Sequence, residues 1–128
     1  MGVERVVTFA GGAVPAWDRV AELLMRAGFP VLMRMIDGQP AFPDELPPEA
    51  WAELRVGTPQ GMVTVRREPG RVRLLTWGNA DAALLQAWNA VTWAFAAAGG
   101  GSVEAAEGAQ SADEFRGQAD LPTFLGGE

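Results

Sequence analysis

GMVTVRREPGRVRLLTWGNADAALLQAWNAVTWAFAAAG, residues 61–99, holds two alternating strands, a tight turn and the longest helical run of the chain in one piece. Met62 to Arg67 and Val72 to Trp77 alternate apolar and polar residues around Glu68-Pro69-Gly70-Arg71. Proline and glycine suit the two central places of a turn, so the stretch predicts a β-hairpin. With Pro69 and Gly70 central, Arg67 opposes Val72, Val65 opposes Leu74 and Val63 opposes Thr76 on the core side. On the other side Glu68 opposes Arg71, Arg66 opposes Arg73, Thr64 opposes Leu75 and Met62 opposes Trp77. Two arginines directly across from each other are unfavourable unless acid lies between them. Arg66, Arg73 and Trp77 therefore form a candidate anion or partner face, with the chain's own carboxylates as the alternative occupants.

Asn79 or Asp81 can cap the helix that follows, Ala80 to Ala98. Asp81, Gln86, Asn89 and Thr92 fall on one arc of this helix and Leu84, Trp88, Val91 and Phe95 on the other. The polar arc argues against a membrane span and for a helix lying on a sheet. Leu85 and Trp93 flank Asn89 on that arc. They predict an exposed Leu85–Asn89–Trp93 ridge suited to self-association, unless the C-terminal segment covers it.

Upstream, Val3 to Ala10 is rich in β-branched residues and stops at Gly11-Gly12, which reads as a strand and a turn. Pro15 to Ala27 carries Trp17, Val20, Ala21, Leu24 and Gly28 on one helical stripe, and Val31 to Ile36 reads as an interior strand. Asp37 to Gln60 is broken by five prolines, with a short helix expected at Pro48 to Leu54. Glu49 and Glu53 would share a face of that helix, where the ordinary outcome is solvation.

Composition narrows the chemistry. The 128 residues include no cysteine, histidine, lysine or tyrosine, and the only serines are Ser102 and Ser111. A histidine base, a thiolate or lysine nucleophile, a thiolate metal site and a P-loop are all excluded. A non-enzymatic protein without cofactor or metal is the expectation. The net charge of −6 is uneven, since residues 1–98 carry nine arginines against ten acids and residues 99–128 carry one against six. Acidity argues against direct nucleic-acid binding. With no basic n-region followed by an apolar run at the start, a cytoplasmic location is expected.

Gly99-Gly100-Gly101 stops the helix, and Ser102 to Gly117 has the alanine, glycine and acid content of a linker, with a short edge strand at Ser102 to Ala106 as the alternative. Gln118-Ala119-Asp120-Leu121-Pro122-Thr123-Phe124 then resembles the peptide by which many bacterial proteins bind the replicative sliding clamp, the β subunit of DNA polymerase III. Gln118, Leu121, Pro122 and Phe124 match the pattern, while Thr123 stands where an apolar residue is usual. The resemblance implies an adaptor in DNA replication or repair that docks through an extended tail. The competing reading has Leu121 and Phe124 tether the tail to its own domain.

The expected architecture is therefore a single α+β domain over residues 1–98, followed by an acidic, Gly/Ala-rich tail over 99–128. Its elements run strand, helix, strand, short helix, strand, strand, long helix. About four mostly antiparallel strands carry two main helices on one face. The functional alternative to clamp docking is a small dimeric module that binds protein or ligand on the open sheet face.

Overall fold

The computed structural model describes residues 3–76, 81–105, 108–119 and 121. They form an α+β fold on one antiparallel sheet, with strands β1 (Val3–Thr8), β2 (Leu32–Ile36), β3 (Gln39–Pro40), β4 (Glu53–Thr58), β5 (Gly61–Glu68), β6 (Arg71–Thr76), β7 (Ser102–Ala105) and β8 (Gly108–Ser111). Helix α1 (Trp17–Arg26) follows β1, α2 (Ala82–Gly99) follows β6, and α3 (Ala112–Gln118) follows β8. The sheet has eight strands in the order β3-β2-β4-β5-β6-β1-β7-β8, twice the number expected.

The β5–β6 hairpin has the register that its turn predicts: Arg67 lies opposite Val72, Val65 opposite Leu74, and Arg66 opposite Arg73. Val63, Val65, Val72 and Leu74 are buried on the helix side together with Val7 of β1 and Leu54 and Val56 of β4. All three helices lie on this side. Trp17, Val20 and Leu24 of α1 enter the core, and Trp17 meets Phe95 of α2 with ring centroids 6.1 Å apart.

The expected short helix at Pro48 to Leu54 is absent; its second half begins β4 instead. Leu54 and Val56 alternate with Glu53 and Arg55, a two-residue period that puts both apolar residues in the core. Asp37 fixes the start of this strand. Its backbone adopts a left-handed φ of 51°, and its carboxylate accepts hydrogen bonds from the Ala52 and Glu53 amides at 2.7 and 2.8 Å.

Where the composition of Ser102 to Gly117 reads as linker, with an edge strand at Ser102 to Ala106 as the alternative, the described residues form β7, β8 and α3. Val103 of β7 pairs with Val7 of β1, and β8 pairs with β7, which adds two strands to the sheet. The glycine run makes this return feasible. Gly100 takes a φ of 62°, and a Cβ on Gly99 or Gly101 would sit 2.6–2.7 Å from the Phe9 ring. Helix α3 starts with a reciprocal capping box: the Ser111 hydroxyl accepts from the Glu114 amide, and the Glu114 carboxylate accepts from the Ser111 amide.

Covered by the sheet, α1 and α3, α2 is buried on every side from Ala87 to Ala96, where an amphipathic helix with an exposed polar arc was expected. Asp81 caps it by accepting from the Leu84 amide at 2.9 Å. No helix among the described residues is long and apolar enough to cross a membrane.

Candidate functional site

The Leu85–Asn89–Trp93 ridge lies inside the molecule: Leu85 is half-buried, and Asn89 and Trp93 are buried. The cover is Arg5 and α3. Arg5 Nε donates to Asn89 Oδ1 at 2.7 Å, and its guanidinium lies 4.5 Å from the Trp88 ring centroid and 4.9 Å from that of Phe115. Arg116 lies over Trp93 at 5.6 Å. Burial lowers the Arg5 pKa from its ordinary value without a carboxylate to offset it. The polar arc of α2 thus serves as a socket for an arginine and a short helix.

Two residues of the clamp-like peptide are also engaged by the fold. Gln118 closes α3 and its Oε1 accepts from Gln110 Nε2 at 2.5 Å, while Leu121 is 8% exposed and joins the core. Pro122 and Phe124 lie outside the described residues, as does Trp77 of the hairpin face.

On the open side of the sheet the opposed arginines are neutralised from within. Arg66 Nε meets Glu53 Oε2 at 2.9 Å. Glu68 forks between Arg71 and Arg73, each at 2.6 Å, and Arg73 also reaches Glu4 at 2.7 Å. Hydrogen bonds from Arg73 and then Arg71 hold the Glu68 carboxyl below its ordinary range. Glu68 first, and then Glu4, raise the pKa of Arg73 in turn. Thr64, Leu75 and Val6 on this face are buried although none of the described helices lies on it.

The ends of this face differ in charge. At the β2–β4 end, Arg34 is the extra residue of a bulge between Met33 and Met35, and its stem runs 3.2 Å from where a Gly57 Cβ would stand. Arg55 lies beside it on β4, opposite Met35. Neither Arg34 nor Arg55 has a carboxylate partner among the described residues. Leu32 and Met62 next to them are 46% and 44% exposed. At the other end, Glu4 of β1 and Glu104 of β7 project from the same face, and the Glu104 carboxylate accepts from the Thr8 hydroxyl at 3.4 Å. Five strand spacings, about 24 Å, separate β2 from β7.

A second feature lies on the helix side, at the tip of the hairpin. Arg67 covers the buried Trp51 at 4.8 Å from its ring centroid. Both line a cleft of about 530 Å³ with the loop at Gly12–Val14 and the turn at Pro69–Gly70. A narrower lobe of about 150 Å³ shares Val14, Trp51 and Arg67 and is walled by Pro15, Pro47 and Pro48.

Neither the Arg34–Arg55 pair nor the Arg67 cleft is visible as a site in the sequence, because the bulge and the return of the 47–52 segment are tertiary facts. Among the described residues no three acids or histidines gather as a metal site. Comparison with protein-family models, curated proteins and solved structures finds no match to this chain.

Proposed function

We propose that the protein is a small, non-enzymatic binding module that dimerises through the open face of its sheet. The observation that carries this reading is the charge gradient across that face. Arg34 and Arg55, which have no carboxylate partner among the described residues, lie among exposed Leu32 and Met62 at one end, and Glu4 and Glu104 lie at the other. A twofold axis brings each end against the opposite end of a second copy, so that the same patch serves both partners. Opposed charges then give register and direction, and Leu32 and Met62 beside the arginines add exposed apolar area to the contact. Sedimentation at increasing protein concentration tests the reading. A dimer that dissociates as salt rises is the expected result; a monomer at every concentration, or a dimer indifferent to Arg34→Glu with Arg55→Glu, refutes it.

A second reading rests on the Gln118–Phe124 peptide and its likeness to sliding-clamp ligands. Docking in an extended form would need Leu121 to leave the core and Gln118 to leave α3. The open-face reading needs no such opening step, which is why it stands first.

A further inference from the structure

We propose that the cleft at the hairpin tip is a binding site for a small monocarboxylate with a short apolar tail. The site does not depend on dimerisation, because it opens on the helix side of the sheet.

Arg67 is the one basic residue lining the two lobes. Its guanidinium carbon lies 4.8 Å from the Trp51 ring centroid, which anchors the cation against the wall of the cleft. Among the described residues no salt bridge engages it. The neighbouring Glu68 carboxylate is on the opposite face of the sheet, held by Arg71 and Arg73, and no ion pair joins Arg67 to Glu49. A planar anion presenting two oxygens fits the arginine edge as a fork.

The rest of the lining sets the class of ligand. Besides Trp51, Arg67 and Glu68, whose carboxylate is engaged by Arg71 and Arg73, the larger lobe is lined by the small, uncharged Gly12, Ala13, Val14, Ala50, Ala52, Pro69 and Gly70, which leave room around a single cation. Pro15, Pro47, Pro48, Trp17 and Trp51 make the narrow lobe an apolar slot. Glu49 lies at its side, which disfavours a second negative charge. One cation beside Glu49 and the already engaged Glu68 suits a monoanion better than a phosphate dianion. The larger lobe alone falls in the size range of small-molecule sites, about 300–1,000 Å³.

The test is titration of the full chain with acetate, butyrate, hexanoate, hexanamide and inorganic phosphate, each followed by the ¹H–¹⁵N signal of Arg67 Nε. The expected result is a saturable shift with hexanoate, with affinity falling about fourfold for each methylene removed and lost for hexanamide. Arg67→Gln removes binding. Because Arg67 also covers Trp51, Ala50→Glu provides a second variant: the position is exposed and lines the cleft, so a carboxylate placed there competes for Arg67 while leaving the core intact. The proposal is overturned if hexanoate gives no saturable shift, if hexanamide binds as well as hexanoate, if phosphate saturates the signal at a lower concentration, or if Ala50→Glu binds hexanoate like the unmodified chain.

Discussion

Phe115→Ala separates a folded C-terminal segment from a loosely attached one. Phe115 is 2% exposed, is packed among core residues, and has the Arg5 guanidinium 4.9 Å from its ring centroid. Truncating a buried phenylalanine to alanine costs about 3–5 kcal/mol, and loss of the cation–ring contact adds about 0.5–1 kcal/mol. Against a total stability of about 5–15 kcal/mol for a domain, this is a large fraction. Seven residues of α3 cannot hold a helix without that anchor. The segment from β8 onward should therefore release and bare the Asn89–Trp93 side of α2. Urea unfolding followed by tryptophan fluorescence and by far-ultraviolet circular dichroism reads the change, and amide exchange shows where it occurs. The reasoning predicts a midpoint shift corresponding to at least 3 kcal/mol, together with lost protection in residues 108–119. A loss below about 1 kcal/mol with protection unchanged would show that Phe115 does not fasten this segment, and the account of α2 as a socket would fail.

Other expectations concern single groups. The Thr76 hydroxyl is buried without a partner among the described residues, so Thr76→Val should stabilise the protein by about 1 kcal/mol in the same urea assay, and destabilisation would reveal an interaction of the hydroxyl. Glu68 has a folded-state pKa below its unfolded value, held there first by Arg73 and then by Arg71. Its stabilising effect is accordingly present above the unfolded value and is lost as pH falls through the folded one. Glu68→Gln should flatten the acid limb of a plot of stability against pH, and an unaltered limb would disprove the assignment. If the C-terminal peptide does bind a sliding clamp, an isolated 113–128 peptide should bind about 10- to 100-fold more tightly than the whole chain, because freeing Leu121 forfeits about 1.5–3 kcal/mol of burial. Equal affinities by calorimetry would mean that Leu121 is not held.

The legible parts of the fold are those where local chemistry and tertiary demand agree. Pro69-Gly70 and the alternation on either side fix both the existence and the register of the β5–β6 hairpin. β4 was obscured by a competing spacing: Trp51 and Leu54 stand three apart, as on a helix, although Leu54 and Val56 are the pair that the sheet buries. β7 falls where the sequence offered an edge strand, but β8 and α3 were hidden by composition, since alanine, glycine and acids look like linker. A local signal was nevertheless present in Ser111-Ala112-Asp113-Glu114, a capping box directly before Phe115. Once α3 is placed, the burial of α2 explains itself, because the C-terminal segment covers its polar arc, the alternative that the sequence left open without showing the helix that does it. On the open face, the opposed Arg66 and Arg73 were visible from hairpin register. Their neutralisation was not, because Glu53 arrives from β4 and Glu4 from β1.

The self-complementary face is tested most directly by a charge exchange. Arg34→Glu with Arg55→Glu makes both ends acidic, and Glu104→Arg weakens the acidic end while leaving Glu4 to hold Arg73. Sedimentation equilibrium of the unmodified chain, each variant and their equimolar mixture gives the answer in one series. The account predicts a salt-sensitive dimer for the unmodified chain, monomers for each variant alone, and a restored heterodimer in the mixture. An unmodified chain that stays monomeric, or variants that dimerise as well alone as together, would contradict it.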